Sequence, residues 1–584
     1  MRTVVIIAVI ALALEFQDAI AQENLLVNGT FEAEPSRNDV VQGWYINAWP
    51  ETMRKNVLVE SVQAPAPHSG SAQAVTVKRL EEKGGVIFAQ PVSFGAGKVY
   101  EASISVYSSS GAYVQLVLRE KKPPYREGAV DYKQLRGGWE DIRIRGGFDE
   151  DIAGVVGLRI LSESSIIIDD ARLKDITRDV LNNGLDAAER KGNISRRFFG
   201  MHINKLGTHL SWPSTGFGVL RLWDTGTNWA DLEPERGVIR SSDWSKRRSP
   251  VSRLQFYLDH VAKQDRDCEV MLTLAVTPMW ASRRSSHPYY KGTANPPTLM
   301  DDWRMYVGEL GQRLRGRVRY WEIWNESDQA HQFNGTVEEL LAMTKTAAEE
   351  LKRSDPENLV SSPNITAYGL GLLDRFLDLG GGAFVDYVSW HYYPTTVPEN
   401  SLPLIVALRD VLKRHSLDDV PVLNTEGRVR LSHSKEKALL SDDQAIQLVM
   451  RSYLVQLALG IDGFIWYVWD DDTEQTVRLW QPGVRRYEAL SPAGLALKTL
   501  SGWLVGKKVQ SVSVSWQAHD DQVWRLELVT PKGEHKVVLW RTNEKPLDME
   551  TRFEEWVNML TSEGNERTFP TNQTPKTSGP ILLH

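Results

Sequence analysis

From Arg197 to about Leu504 the chain alternates between two patterns, and that alternation narrows its fold more than any other feature. Short apolar, β-branched or aromatic runs read as strands: Phe198–Ile203, Gly218–Trp223, Glu269–Ala275, Val318–Trp324, Asn358–Ser361, Asp386–His391, Val420–Asn424 and Gly463–Val468. Between them lie stretches with apolar residues at helical spacing, such as Val251–Gln264, Val337–Arg353 and Asp442–Leu459. Strand–helix alternation predicts parallel strands covered by helices. Eight strands over about 270 residues match a (β/α)8 barrel, whose usual size is about 250 residues.

The flanks read differently. Residues 22–175 show short alternating runs (Val86-Ile87-Phe88-Ala89, Tyr100 to Val106, Tyr113 to Leu118, Ile166-Ile167-Ile168) between Gly, Ser and Pro turns, the pattern of a β-sandwich. Residues 176–196 are polar and read as a linker. After a closing helix at Ser491–Leu504, strand patterns return at Val509–Trp516, Val523–Val529, Lys536–Trp540 and Pro580 to Leu583. The expected architecture is multidomain, α/β plus all-β: a (β/α)8 TIM barrel over 197–506, an N-terminal β-sandwich over 22–175 and a small C-terminal β-sandwich over 507–584.

At the N-terminus, Arg2, the apolar run Val4 to Leu14 and Ala19-Ile20-Ala21 have the form of a secretory signal peptide over 1–21. The expectation is a secreted or periplasmic protein beginning near Gln22, and no later run is long enough to span a membrane. Cys268, the single cysteine, precludes an internal disulfide and reads as a small buried hydrophobe. A net charge of -7 offers no basic footprint for nucleic acid. Twenty Trp suit a carbohydrate binder, although most are expected in the cores.

A (β/α)8 barrel places its chemistry where strands end. The fourth strand ends in Trp324-Asn325-Glu326 and the seventh in Thr425-Glu426-Gly427. Two strand-end carboxylates form the pair that cleaves a glycosidic bond, one as general acid/base and one as nucleophile. Glu326 takes the acid/base role, for which its carboxyl must be protonated near neutral pH, and Glu426 the nucleophile role, for which it must be ionised. Asn325 is placed to donate to the sugar 2-OH, and Tyr393 and Arg221 to hold Glu426. Trp466 or Trp469 would floor the sugar. His391, ending the sixth strand, and His202, ending the first, complete the candidates.

These motifs resemble clan A glycoside hydrolases: Trp324-Asn325-Glu326, His391-Tyr392-Tyr393, Thr425-Glu426 and aromatic Trp466 to Trp469. Arg221-Leu222-Trp223, Trp229, Glu233-Pro234, Thr277-Pro278-Met279-Trp280-Ala281 and Trp303 resemble family 39-like members, which adds Trp280 to the substrate-binding candidates. In such a barrel the fourth and seventh strands face each other. The resemblance thus implies carboxyl groups about 5–5.5 Å apart, double displacement with retained configuration, and no metal or organic cofactor in catalysis. Asn24 to Glu32, Gly43-Trp44, Gly138-Trp139-Glu140 and Ile168 to Leu173 resemble jelly-roll carbohydrate-binding modules of families 4 and 22, which implies a structural calcium held by Glu32 and Asp170 or Asp169. The expected partner is a poly- or oligosaccharide substrate, and the oligomeric state stays open. Two rival readings use the same scaffold: a non-catalytic sugar-binding protein, and a metal-dependent hydrolase built on His202, His391 and nearby carboxylates.

Overall fold

The computed structural model describes residues 24–583 apart from 34–38, 82–83, 183–191, 207–211, 247, 283–286, 396, 430–439, 471–476, 482–488, 519–520, 543–555, 561–565 and 571–579. The expected signal peptide at 1–21 and the middle of the expected linker lie outside the described residues. By packing, the chain divides into two units, 1–180 with 400–416, and 181–399 with 417–584. No helix among the described residues is long and apolar enough to cross a membrane.

The second unit is built on a parallel sheet of nine strands. In chain order its staves are Phe199–His202 (β1), Val219–Leu222 (β2), Glu269–Leu274 (β3), Tyr320–Ile323 (β4), Leu359–Pro363 with Ile365–Thr366 (β5), Val388–His391 (β6), Val422–Gly427 (β7) and Gly463–Trp466 (β8). The two pieces of β5 flank Asn364 and form one stave, so the barrel has the eight staves read from the sequence. It closes: β1 pairs with both β2 and β8, and Ser361 of β5 bridges Tyr387 at the foot of β6. Between and after the staves run helices Ser252–Gln264 (α1), Met300–Arg313 (α2), Val337–Ser354 (α3), Leu370–Asp378 (α4), Leu402–Arg414 (α5), Asp442–Ala458 (α6) and Pro492–Leu504 (α7), of which α5 groups with the first unit. Capping boxes start α3 (Thr336 with Glu339) and α6 (Ser441 with Gln444).

The barrel interior is layered, because alternate residues of a strand face the same side. Val219, Met271, Tyr320, Tyr387 and Ile465 form an apolar layer inside. Two residues further along the same staves stand Arg221, Thr273, Glu322, Ser389 and Tyr467, a polar layer. The same period that fills the core thus delivers the polar groups to the C-terminal mouth.

The first unit is a pair of five-stranded antiparallel sheets. One contains Tyr45–Trp49, Gly85–Phe94, Ile152–Ile160, Ala112–Glu120 and Glu127–Leu135; the other Val57–Gln63, Ser71–Val77, Ser164–Asp175, Tyr100–Ser108 and Gly138–Gly146. Trp44 stacks on Phe88 at 4.8 Å in its core, and α5 is tied to it by Arg145 to Asp410 at 3.0 Å. The C-terminal part of the second unit is a six-stranded antiparallel sheet, with buried Trp524 and Trp540 stacked at 5.6 Å.

Candidate active site

Arg221 is fully buried at the centre of the mouth. Its Nε donates to Glu322 Oε2 at 2.7 Å, Nη1 to Glu426 Oε2 at 2.7 Å, and Nη2 to Asn325 Oδ1 at 2.8 Å. One planar guanidinium therefore fixes three side chains on β4 and β7, as its fork of donors allows. Burial pushes its pKa down, but Glu322 and Glu426 outweigh burial and hold the charge on. Burial likewise pushes Glu322 up, and Arg221, His391 and the hydroxyls of Ser389 and Thr273 overcome it, leaving Glu322 below the usual carboxylate range. Those hydroxyls donate to Glu322 at 2.6 and 2.7 Å.

The end of β4 is bent to aim its carboxylate. Trp324 and Glu326 have φ of 61° and 44°, the left-handed region that costs a non-glycine residue of order 1 kcal/mol or more. Neighbours hold them there. Trp324 donates its backbone N–H to Leu274 O at 3.0 Å and its indole N–H to Gln332 O at 2.8 Å. The Glu326 N–H donates to Asn364 Oδ1 at 2.7 Å, from the break in β5. Asn364 in turn donates to Ser389 Oγ at 2.7 Å. On β7 the pairing register slips between Asn424 and Gly427, a bulge of the kind that re-aims side chains near active sites.

These devices bring Glu326, Glu426 and His391 together. One carboxylate oxygen from each Glu and one His391 nitrogen all lie within 4.8 Å of one another. His391 Nδ1 is 3.2 Å from Glu326 Oε1 and 4.0 Å from Glu426 Oε2. Gln332 Nε2 donates to Glu326 Oε2, and the Tyr393 hydroxyl donates to Glu426 Oε1. His202 is buried beneath, its Nε2 facing Thr425 O at 3.1 Å; burial and Arg221 depress its pKa well below the ordinary histidine value, so it is neutral. Arg221 Nη1 lies 3.3 Å from the same nitrogen.

The expected aromatic floor needs correction. A sugar floor requires an open ring face, and Trp466 and Trp469 are each 1% exposed. Ile465 belongs to the inward apolar layer, so its neighbour Trp466 turns outward and stacks near Tyr453 of α6 at 6.4 Å. Tyr467 turns inward in its place. Its ring meets His202 edge-on at 4.8 Å, and its hydroxyl donates to Asp224 Oδ2 at 2.6 Å. Trp280 sits with other partners: its indole N–H donates to Glu233 O at 2.8 Å, its ring meets Trp229 edge-on, and Arg236 lies over it.

Glu322, Gln332, Asp224 and Tyr289 were not singled out as site residues from sequence. Glu322 had a signal: a charged residue inside an otherwise apolar strand, in step with Tyr320. Gln332 sits in a turn and Tyr289 on a two-residue strand of a small hairpin, neither with a periodicity to place it.

In the first unit the described side chains that come within ligating distance are His68, Asp169 and Asp170. His68 Nδ1 lies 2.8 Å from Asp169 Oδ2, while Glu32 accepts from the Ser71 N–H at 3.1 Å. Glu32, Asp169 and Asp170, the carboxylates named from the sequence, line one recess with Thr30, Pro67, His68 and Ser69.

No protein-family model and no curated protein matches the chain. Solved structures do. A family 39 glycoside hydrolase from the gut symbiont Bacteroides cellulosilyticus WH2 is similar at 16% identity and a TM-score of 0.48, over 82% of this chain and 95% of that one. A monomeric beta-xylosidase from Caulobacter crescentus CB15 is similar at 15% identity and a TM-score of 0.45, over 67% and 96%. A Clostridium thermocellum endo-1,4-beta-D-xylanase with CBM22 and GH10 modules is similar at 12% identity and a TM-score of 0.35, over 82% and 98%.

Proposed function

We propose that this protein is a retaining glycoside hydrolase acting on a poly- or oligosaccharide. The observation that carries the reading is the approach of the Glu326 and Glu426 carboxylates, with oxygens within 4.8 Å across the barrel mouth. That spacing supports a direct attack by the enzyme, since an inverting pair needs about 6.5–9.5 Å to seat a water. The Glu426 carboxylate attacks the anomeric carbon while the bond to the leaving oxygen breaks, and that oxygen takes the proton from Glu326. Glu326 then accepts a proton from water, the water oxygen bonds to the anomeric carbon, and Glu426 leaves. Arg221 and Tyr393 hold the Glu426 carboxylate in place for the attack, and Asn325, anchored by Arg221, is the donor for the sugar 2-OH.

The test is turnover on a panel of aryl glycosides and polysaccharides, with proton NMR of the first-formed anomer. Retention is expected. An anomer opposite to the substrate linkage contradicts the nucleophile role of Glu426, and binding without turnover favours a sugar-binding protein.

The cluster of Glu326, His391 and Glu426 also has the outline of a metal site. Its surroundings favour the glycosidase. Glu426 already accepts from a guanidinium and a phenol and Glu326 from an amide, donors that would compete with a cation. Double displacement needs no metal or organic cofactor, so chelator is expected to leave turnover unchanged, and loss of turnover restored by a divalent ion would reverse the choice. Export is part of the proposal. It is supported by the apolar run Val4 to Leu14 and Ala19-Ile20-Ala21, and N-terminal sequencing of the processed protein should begin near Gln22.

A further inference from the structure

We propose that Gln332 is a positioning residue that ties the acid/base Glu326 to Asn325 and sets the proton balance of Glu326; this rests on the glycosidase reading. Gln332 lies on the turn that follows β4, which folds back so that Gln329 N donates to Glu326 O at 2.9 Å and Gln332 N to Gln329 O at 2.8 Å. Its own carbonyl holds the Trp324 indole.

The direction of its amide follows from chemistry. Arginine can only donate, so Arg221 Nη2 fixes the oxygen of Asn325 toward itself at 2.8 Å. The Asn325 Nδ2 group must then point the other way, and it donates to Gln332 Oε1 at 2.7 Å. The Tyr289 hydroxyl donates to the same oxygen at 2.5 Å. With Oε1 committed to two donors, Nε2 is turned to Glu326 Oε2. A flipped amide would set NH2 against NH2. The result is a one-way chain, Arg221 to Asn325 to Gln332 to Glu326, ending in a donor on the acid/base carboxylate.

A donated hydrogen bond favours the ionised form of a carboxyl group. Gln332 therefore restrains proton retention by Glu326 and supports it as the base that activates water. The other oxygen, Oε1, faces His391 Nδ1 at 3.2 Å, and the Glu426 carboxylate has an oxygen within 4.8 Å, so these two titratable groups act on the Glu326 proton beside Gln332.

The test is the pH profile of kcat/KM for wild type, Gln332→Ala and the near-isosteric Gln332→Glu, on one aryl glycoside whose product anomer is followed for wild type. Gln332→Ala should move the basic limb upward by about one pH unit, as expected for losing a bond to a charged group. Gln332→Glu should move it further, since a second carboxylate opposes ionisation of Glu326. A basic limb that stays in place in folded Gln332→Glu, or in Gln332→Ala with only its Tm lowered, overturns the proposal and leaves the glycosidase reading intact. Absence of wild-type turnover, or inversion by wild type, instead overturns the reading on which the proposal rests.

Discussion

Arg221 holds more of the mouth together than any other side chain. Truncating it to Met would leave Glu322 charged, buried and unpaired, a defect of about 3–5 kcal/mol. Urea unfolding should show that loss, and turnover should fall with it, because Asn325 and Glu426 lose their anchor. Unfolding of Arg221→Met at the wild-type midpoint would show that Glu322 is not charged in the fold. The two carboxylates behave differently. Glu326→Gln should lower turnover by about 10²–10⁴-fold, the usual share of general acid–base catalysis, with the unfolding midpoint little changed. Azide should rescue Glu326→Ala with retained configuration and Glu426→Ala with inverted configuration; swapped products would swap the roles. Arg221, Asn325, Glu326, His391, Tyr393 and Glu426 were legible in the sequence as candidates because each lies at or just past the C-terminal end of a strand, where the fold puts its chemistry. Gln332 and Tyr289 were not, because a residue in a turn or a two-residue hairpin strand acquires its neighbours only when the chain is folded.

Among elements, β5 shows how backbone irregularity serves the site. Its break at Asn364 frees a side-chain amide to catch the Glu326 N–H and hold the left-handed turn. Asn364→Ala leaves that N–H without its acceptor, which should cost about 1–3 kcal/mol. It should also lower kcat more than it raises KM, because the acid/base loses its aim. Wild-type kinetics with wild-type stability in this variant would show that the turn holds without the amide. All eight staves were legible from apolar runs and strand–helix alternation, since each is short, buried and flanked by polar residues. The inward parity of β8 was not. Trp466, Tyr467 and Trp469 are all aromatic, so composition cannot say which ring faces in; Ile465 in the apolar layer decides it.

Across the whole molecule, the buried site makes stability depend on pH. His202 has a folded pKa well below its unfolded value, because burial opposes its charge. The unfolded chain then binds a proton that the fold refuses, so stability is full above about pH 6.5 and declines as pH falls below it. His260 shifts in the same direction by burial. Glu322, also lowered, adds its loss only further down, as pH falls below about 4.5 through its folded value. Glu233 and Asp470, raised by burial, act in the opposite sense, because as pH falls the fold takes up their protons before the unfolded chain does. Thermal melts of wild type should therefore fall more steeply between pH 7 and 5 than those of His202→Gln, and equal slopes would mean that His202 is protonated in the fold.

The central claim is that Glu426 forms a bond to the sugar. A glycoside carrying fluorine at C2 and a good leaving group slows the second step more than the first, so the enzyme should accumulate as a stoichiometric adduct. Peptide mapping by mass spectrometry is expected to place the added sugar on the peptide containing Glu426, and Glu426→Gln is expected to abolish it. An adduct on Glu326, or complete turnover with inverted product and no adduct, would contradict the account.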